Sequence, residues 1–530
     1  MKKKYLLGFI LLILLYSFVY SAPIPPVGDC LSQDATQYAT TSQPLVSSFQ
    51  QTQDAQAFLT KYFSVWNTPY TCSMGYLNSS YAQFIMHPGY GENLLPLSSE
   101  YFVNLASESD PTTFGEVSLP AVVVANSNMR VFPTNAPEYS YVSSTPFDNL
   151  QTTSIYYGTP VDVVGETLDK NWDYVVSSMG ASGWLPASSI AYVSENQIHA
   201  AENTNSYMVV TQDNASIVNS VGCSIAAGYV GMIFPVVGQA NGNWQILGFG
   251  KNFSDSRAQS ITLNIQPSQG SKFPIALTEG NVAKIINQLQ GEPYGWAGSY
   301  FYRDCSATQK DIFAEFGIFL TRNSSSMTSC GQSISLQNMS NSDKLALIQS
   351  EAIPFRTLLI MSGHVMLYLG DSNSQAVMFQ QFWGGSFINT GSSISFISKE
   401  AEITYVDMSI QGEGSATLTA MTNMVILGGS GQNTEGNTIS SNTSNLNISG
   451  SSVVNITTSS VKSDQIDNAS MIKTPNFVEA SALLHINKSV IKKICDVNLR
   501  SVLFYSMVPY KNSINAVSMK TQSTLLLSSN

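Results

Sequence analysis

Hydrophobic and polar residues alternate over short distances in the first half of the chain, the pattern of β-strands. A first series of apolar runs between turn residues lies at 121–124, 160–164 and 174–177, and Gly183-Trp184-Leu185-Pro186 closes it. A second series lies at 207–211, 230–237, 244–247 and 260–265. Short strands at this spacing are typical of small barrels. We predict one barrel over residues 118–198 and a second over 199–272.

Helical patterns flank these two predicted barrels. The Gln/Ser/Thr-rich region 30–117 contains a helix-like stretch at 54–66. After the second barrel, Val282, Ile285, Ile286 and Leu289 fall on one face of a helix over 279–290. This helix opens a mixed α+β domain, which we place at 275–411.

Length and charge limit the classes of protein to consider. A chain of 530 residues is too long for one hydrophobic core, so several domains are expected. With 43% hydrophobic and 11% charged residues, a folded protein is favoured over a disordered one. The net charge of −11 argues against a nucleic-acid partner, because no broad basic surface is available to neutralise phosphates.

The two ends of the chain differ from the middle. Residues 1–22 combine three lysines, an apolar run and small residues, which predicts a signal peptide and an exported protein, periplasmic or secreted. Residues 412–470, rich in Ser, Asn, Thr and Gly, predict a flexible low-complexity linker. Residues 471–530 carry a local charge of +5, and their role is not predicted. A basic helix there would either contact a membrane surface or cell wall, or pack against the protein.

Cys305 is the candidate nucleophile among six cysteines that contain no CxxC pair and no metal-ligand spacing. Asp304 suits a helix N-cap and Gly317 the residue after a helix, so Cys305 falls in the first turn. The positive end of the helix dipole there is expected to lower the thiol pKa. The alternative is an ordinary buried cysteine. A disulfide between Cys30 and Cys72 is left open.

His364 is the candidate general base, because it is the one histidine of four that lies within 275–411. It opens an alternating run, 364–369, and a turn at 370–375 connects this run to a second one at 376–383. The hairpin would bring either Gln380 or Gln381 beside His364, depending on the register. That amide oxygen would accept the Nδ1–H and fix the imidazole tautomer.

These segments together resemble the NlpC/P60 cysteine peptidase family. The resemblance rests on the motifs PYGWAG, RDCS, FGIFLTRNS, PFRTLLIMSGHVMLYLG and FWGG, which occur in this order. The segments at 130–134, 146–151, 157–160 and 183–184 resemble the first bacterial SH3-like barrel of multidomain murein peptidases in this family. Residues 87–93 resemble their N-terminal stabilising segment. The implied fold is multidomain α+β, with two small SH3-like β-barrels followed by a papain-like NlpC/P60 domain.

The resemblance also implies an activity. The enzyme would be a γ-D-glutamyl-diamino-acid endopeptidase acting on peptidoglycan stem peptides that bear a free N-terminal L-Ala, without a metal or other cofactor. The Tyr294 hydroxyl and the Cys305 amide would hold the oxyanion. The remaining residues that match family positions are Asp304 for the L-Ala ammonium, Ser306 for the D-Glu carboxylate, Trp296 for lining the pocket, and the neighbourhood of Asp148 for exo-type specificity.

One position departs from the family pattern. Many relatives have a histidine three residues before the tryptophan of FWGG, where this chain has Gln380. Two other functions compete with the peptidase: a peptidoglycan-binding scaffold with an inactive domain, and a secreted effector that uses the same Cys/His chemistry on protein.

Overall fold

The computed structural model describes residues 31–429 except 71, 205, 373, 390–391 and 407–415. The predicted signal peptide at 1–22, Cys30, most of the predicted linker and the basic region 471–530 lie outside the described residues. In the described part, no helix has the length and apolar character needed to cross a membrane.

The first barrel is a curled antiparallel sheet of seven strands in the order β3-β2-β6-β5-β4-β1-β7. Apolar side chains from all seven strands meet in one core, among them Ala121, Met129 and Val163. The alternating pattern of the sequence therefore reflects an inward and an outward face. The strands are β1 Leu119–Val123, β2 Ser127–Arg130, β3 Gln151–Ile155, β4 Pro160–Glu166, β5 Trp172–Val176, β6 Ser182–Pro186 and β7 Ile190–Tyr192.

The second barrel repeats this architecture in the order β10-β9-β13-β12-β11-β8-β14. Its core contains Met208, Ile217, Phe234 and Leu263. The strands are β8 Tyr207–Val210, β9 Ala215–Val218, β10 Ser224–Gly228, β11 Ile233–Ala240, β12 Asn243–Lys251, β13 Ala258–Ile265 and β14 Gly270–Lys272. Two small barrels before an α+β domain confirm the predicted fold class.

The third unit has a sheet in the order β15-β20-β16-β17-β18-β19, with helices packed against it. Buried residues of this sheet and of two helices, such as Ile286, Phe313 and Val365, form the largest core among the described residues. The strands are β15 Gln332–Ser335, β16 Thr357–Met361, β17 His364–Ser372, β18 Gln375–Asn389, β19 Ser392–Tyr405 and β20 Met421–Ile426.

Eight α-helices lie among the described residues. They are α1 Ser48–Asn67, α2 Met74–Met86, α3 Ser99–Ser107, α4 Glu195–Glu202, α5 Glu279–Leu289, α6 Cys305–Ala314, α7 Asn341–Glu351 and α8 Ala416–Ala420.

Strand β20 corrects the predicted end of the third domain. The sequence analysis ended this domain at 411 and began the linker at 412, but β20 pairs with both β15 and β16 inside the sheet. Its apolar residues Met421, Met424 and Val425 are buried. Segments rich in Ser, Thr and Gly on either side hide this short strand in the sequence.

The N-terminal region ties the three units together. Helix α1 contacts the first barrel, where the Trp66 indole N–H donates to the Ala121 carbonyl at 2.7 Å. The same helix contacts the third unit, where the Gln51 amide donates to the Ile275 carbonyl at 2.6 Å. The segment before α1 lies on α5, whose Glu279 carboxylate accepts from the Thr40 and Thr41 amides. These contacts join the N-terminal region, predicted to be a stabilising segment, to the first barrel and to the third unit.

Candidate active site

Helix α6 presents Cys305 as its first residue. The Asp304 carboxylate caps the helix by accepting from the Ala307 amide at 2.9 Å. The helix ends before Gly317, whose φ of 76° favours glycine and whose Cα approaches Ala55 of α1 too closely for a side chain. The predicted helix is thus confirmed, with Cys305 in the first turn.

The Cys305 thiol lies against the beginning of strand β17. The thiol donates to the Gly363 carbonyl oxygen at 4.0 Å, and the nearby Val365 amide acts to lower its pKa. These two residues flank His364. The fold therefore brings the predicted nucleophile and the predicted base together, although 58 residues separate them in sequence.

Gln380 is the residue that orients His364. The His364 Nε2 is 2.8 Å from Gln380 Oε1, and the Gln380 amide group donates to Thr404 Oγ1 at 3.0 Å. Gln381 instead donates to the Glu292 and Pro293 carbonyls. The bonded ring nitrogen is Nε2 and not the expected Nδ1, so the proton lies on Nε2 and Nδ1 is the basic nitrogen.

Burial favours the neutral forms of both candidate groups. It raises the pKa of the Cys305 thiol to about 12, and the Asp304 charge adds to the rise while the Val365 amide and Arg322 oppose it. Burial also lowers the pKa of His364 below 6.5, against the Gln380 hydrogen bond and the Asp304 charge. The predicted lowering of the thiol pKa is wrong, because burial outweighs the backbone amides and the Arg322 charge that lower it.

Arg322 joins the first barrel to the residues around the nucleophile. It makes a buried ion pair with Asp304 at 2.6 Å and donates to Ser306 Oγ at 2.7 Å. Its Nε donates to Thr153 Oγ1 of strand β3, also at 2.7 Å. Two of the three predicted substrate-binding residues, Asp304 and Ser306, are thus held by one guanidinium group.

Aromatic rings form a wall beside the thiol. Tyr294, whose pKa is raised by burial and then by the Cys305 and Asp304 charges, packs edge-on against Trp383 at 6.1 Å between ring centres. Phe147 of the first barrel packs against Trp383 at 4.9 Å and against Trp296 at 5.1 Å. The first barrel therefore supplies part of the wall that contains Tyr294 and Trp296.

Asp148 serves the structure of the first barrel. Its carboxylate pairs with Arg130 at 2.6 Å and accepts from the Glu138 and Leu150 amides. Its main-chain carbonyl accepts from the Trp296 indole at 3.2 Å. Its side chain is therefore engaged within the barrel, while its backbone helps to place Trp296.

Three stretches of the chain match known domain families. The NLPC_P60 stabilising domain matches residues 6–114, an SH3 domain of the SH3b1 type matches 137–186, and the NlpC/P60 family matches 291–380. The last stretch includes Cys305, His364 and Gln380, which the geometry has just brought together. The chain carries an NlpC/P60 domain. This is the domain of a family of cysteine peptidases, and the recognition made from the sequence is confirmed.

Solved structures add support for the fold. An NlpC/P60 endopeptidase from Photobacterium damselae subsp. piscicida is 23% identical, with a TM-score of 0.66, and the match covers 75% of this chain and 97% of that one. An NlpC/P60 family protein from Bacillus cereus is 15% identical, with a TM-score of 0.38 and coverages of 52% and 82%. The first of these shows a shared fold. No curated protein sequence matches the chain.

A buried arginine links the second barrel to the NlpC/P60 domain. Arg303, fully buried and two residues before the nucleophile, binds Asp213 of the β8–β9 connection through two nitrogens at 2.6 and 2.8 Å. It also binds Glu292 at 3.0 Å and Asp311 of α6 at 2.7 Å. Burial raises the pKa of Glu292 to about 7, although Arg303 opposes the rise.

The sequence analysis assigned no role to several residues of this site. Arg303 and Arg322 stand inside the quoted motifs RDCS and FGIFLTRNS, but their partners Asp213 and Thr153 come from separate barrels and carry no local signal. Among the described residues, no group of three His, Cys, Asp or Glu side chains could hold a metal ion.

Proposed function

We propose that this protein is an exported cysteine endopeptidase that hydrolyses the γ-D-glutamyl–meso-diaminopimelate bond of peptidoglycan peptides bearing a free N-terminal L-Ala. The observation that carries the proposal is the Cys305 thiol against the strand end of His364, with Gln380 on the other ring nitrogen. Export, to the periplasm or outside the cell, rests on the signal-like residues 1–22.

The reaction begins with a neutral thiol and a neutral imidazole. His364 Nδ1 takes the Sγ proton as sulfur attacks the γ-carbonyl carbon of D-Glu, and the C–N bond then breaks as the imidazolium protonates the leaving amine. Water hydrolyses the resulting thioester, with His364 again as base. This path does not require a preformed thiolate, which agrees with the raised thiol pKa.

The Cys305 amide and the Tyr294 hydroxyl are the proposed oxyanion donors. The amide belongs to the first residue of α6, whose N–H has no partner within the helix. The Tyr294 hydroxyl stays protonated because burial raises its pKa. Donors fixed before the reaction contribute most where negative charge develops.

Asp304 and Ser306 are the proposed anchors of the acyl part of the substrate. Asp304 Oδ1 accepts from Ala307, Ser306 and Arg322, whereas Oδ2 accepts from Arg322 alone. The L-Ala ammonium would bind at Oδ2. Ser306 would donate to the D-Glu α-carboxylate, and the Arg322 charge beside it would favour that anion.

Mass spectrometry of L-Ala-γ-D-Glu-meso-diaminopimelate tests the proposal, with the N-acetylated peptide beside it. We expect cleavage of the free-amine peptide only, and no cleavage by Cys305→Ala. Cys330→Ala is the matched control, since it removes a partly buried thiol of the same domain, and it should retain activity. Cleavage of both peptides would reject the amine anchor. Binding to purified sacculi without any hydrolysis would favour the scaffold instead.

A further inference from the structure

Strand β19 carries a β-bulge beside the active site. Phe382 pairs with Glu400 and Gly384 pairs with Ile397, so Ser398 and Lys399 both lie opposite the single residue Trp383. Lys399 has a φ of 66°, in the left-handed region that favours glycine. A bulge turns a side chain in a new direction and is frequent next to active sites. A lysine that keeps this conformation calls for a functional reason.

The bulge places the Lys399 ammonium group next to the aromatic wall. Its Nζ lies 4.9 Å from the centre of the Trp383 ring, in a cation–π contact. The Lys399 carbonyl accepts from the Tyr294 amide at 2.7 Å. The same bulge therefore fixes Tyr294, the proposed oxyanion donor, and the exposed Lys399. The Trp383 ring contacts both residues.

The other cations near the nucleophile already have partners. Arg322 binds Asp304, and Arg303 binds three carboxylates. Within the described residues, Lys399 makes no ion pair. Its charge is thus available to an anion that enters the cleft.

We infer that Lys399 binds a carboxylate of the leaving diamino acid. The inference rests on the proposed function. The D-Glu carboxylate already has Ser306 and Arg322 as its proposed partners, so the part of the substrate whose anions still lack a proposed partner is the leaving part. Diaminopimelate carries carboxylates there, and a lysine ammonium matches them in charge and hydrogen bonding.

Comparison of two peptides tests this role: L-Ala-γ-D-Glu-meso-diaminopimelate and its copy with both diaminopimelate carboxyls amidated. The wild type should prefer the first by about tenfold in kcat/KM, the order expected for one charge-assisted hydrogen bond. Lys399→Gln and Lys399→Gly should abolish this preference by slowing cleavage of the carboxylate peptide only. Lys399→Gly should also raise or retain Tm, because glycine accepts the positive φ. Lys284→Gln, which removes an exposed charge on α5, should keep the preference.

Three outcomes would overturn the inference. If Lys399→Gln lowers kcat/KM equally for both peptides, the role of Lys399 is structural. Equal cleavage of both peptides by the wild type would show that Lys399 does not bind a diaminopimelate carboxylate, while the proposed function would still stand. Cleavage of neither peptide by the wild type would defeat the proposed function and this inference together.

Discussion

At the scale of single residues, Gln380 controls the tautomer of His364, the proposed base. Its amide oxygen accepts from Nε2 and so holds the tautomer whose Nδ1 would take the thiol proton in the proposed mechanism. Unlike a carboxylate, it carries no charge to stabilise the imidazolium. The pKa of His364 is consequently lowered by burial, and the Gln380 hydrogen bond only partly offsets this.

The substitution Gln380→Leu should both slow the enzyme and move its pH profile. Removing the acceptor eliminates an interaction that raises the His364 pKa, so the acid limb of kcat/KM, already below pH 6.5, should move to lower pH. Loss of tautomer control should reduce kcat by about tenfold or more. A pH series of kcat/KM for wild type and variant measures both effects. An acid limb that stays in place would show that Gln380 does not orient the base.

The identity of the orienting residue shows how far sequence patterns reach. Alternation in 364–369 predicted the strand and the face of His364, but not the choice between Gln380 and Gln381. The register between β17 and β18 shifts by one residue at a bulge between Tyr368 and Gly370, and no local pattern marks that bulge. One such residue reverses the faces of all the residues beyond it. The prediction of a lowered Cys305 thiol pKa was wrong for a related reason, because the burial of the thiol depends on residues that are distant in the sequence.

Strand β20 shows the same limit at the scale of an element. It is short, lies beyond 411 in a polar stretch, and is recognisable only by its place between β15 and β16. Lys344 of α7 holds the chain that enters this strand, with Nζ donating to the carbonyls of Leu418, Thr419 and Met421. Tertiary contacts rather than local propensity therefore define the element.

Two truncations test whether β20 belongs to the domain. A chain ending at 411 loses an interior strand, leaves the facing edges of β15 and β16 unpaired, and should be insoluble or lack a cooperative unfolding transition. A chain ending at 429 keeps the strand and should unfold cooperatively. Urea unfolding followed by tryptophan fluorescence measures the difference. Cooperative unfolding of the 411 chain at the same midpoint would contradict the assignment.

At the scale of the whole molecule, each barrel provides one polar side chain to an arginine near the nucleophile. Thr153 of the first barrel bonds to Arg322, and Asp213 of the second bonds to Arg303. The two arginines in turn hold the cap of α6 and its buried Asp311. The barrels, predicted as separate units, thus contribute to the position of Cys305. Contacts between units could not be inferred from a sequence that specifies each unit by its own pattern.

The cluster around Arg303 should make stability depend on pH. Glu292 has a folded-state pKa of about 7, raised by burial and by the Asp213 and Asp311 charges, against an ordinary value of 4.5. The folded protein therefore keeps this proton to higher pH than the unfolded chain does. Its contribution to stability is complete below pH 4.5 and is lost as the pH rises through about 7.

The substitution Glu292→Gln keeps the shape and removes this titration. Wild type and variant should have similar unfolding free energies near pH 4.5, and the variant should gain up to about 3 kcal/mol relative to wild type by pH 8. Urea unfolding of both proteins across this range measures the change, and groups that titrate in both cancel in the comparison. Parallel pH curves would mean that Glu292 ionises normally beside Arg303. A growing gap would mean that the link between the second barrel and the NlpC/P60 domain carries one carboxylate more than its arginine can neutralise.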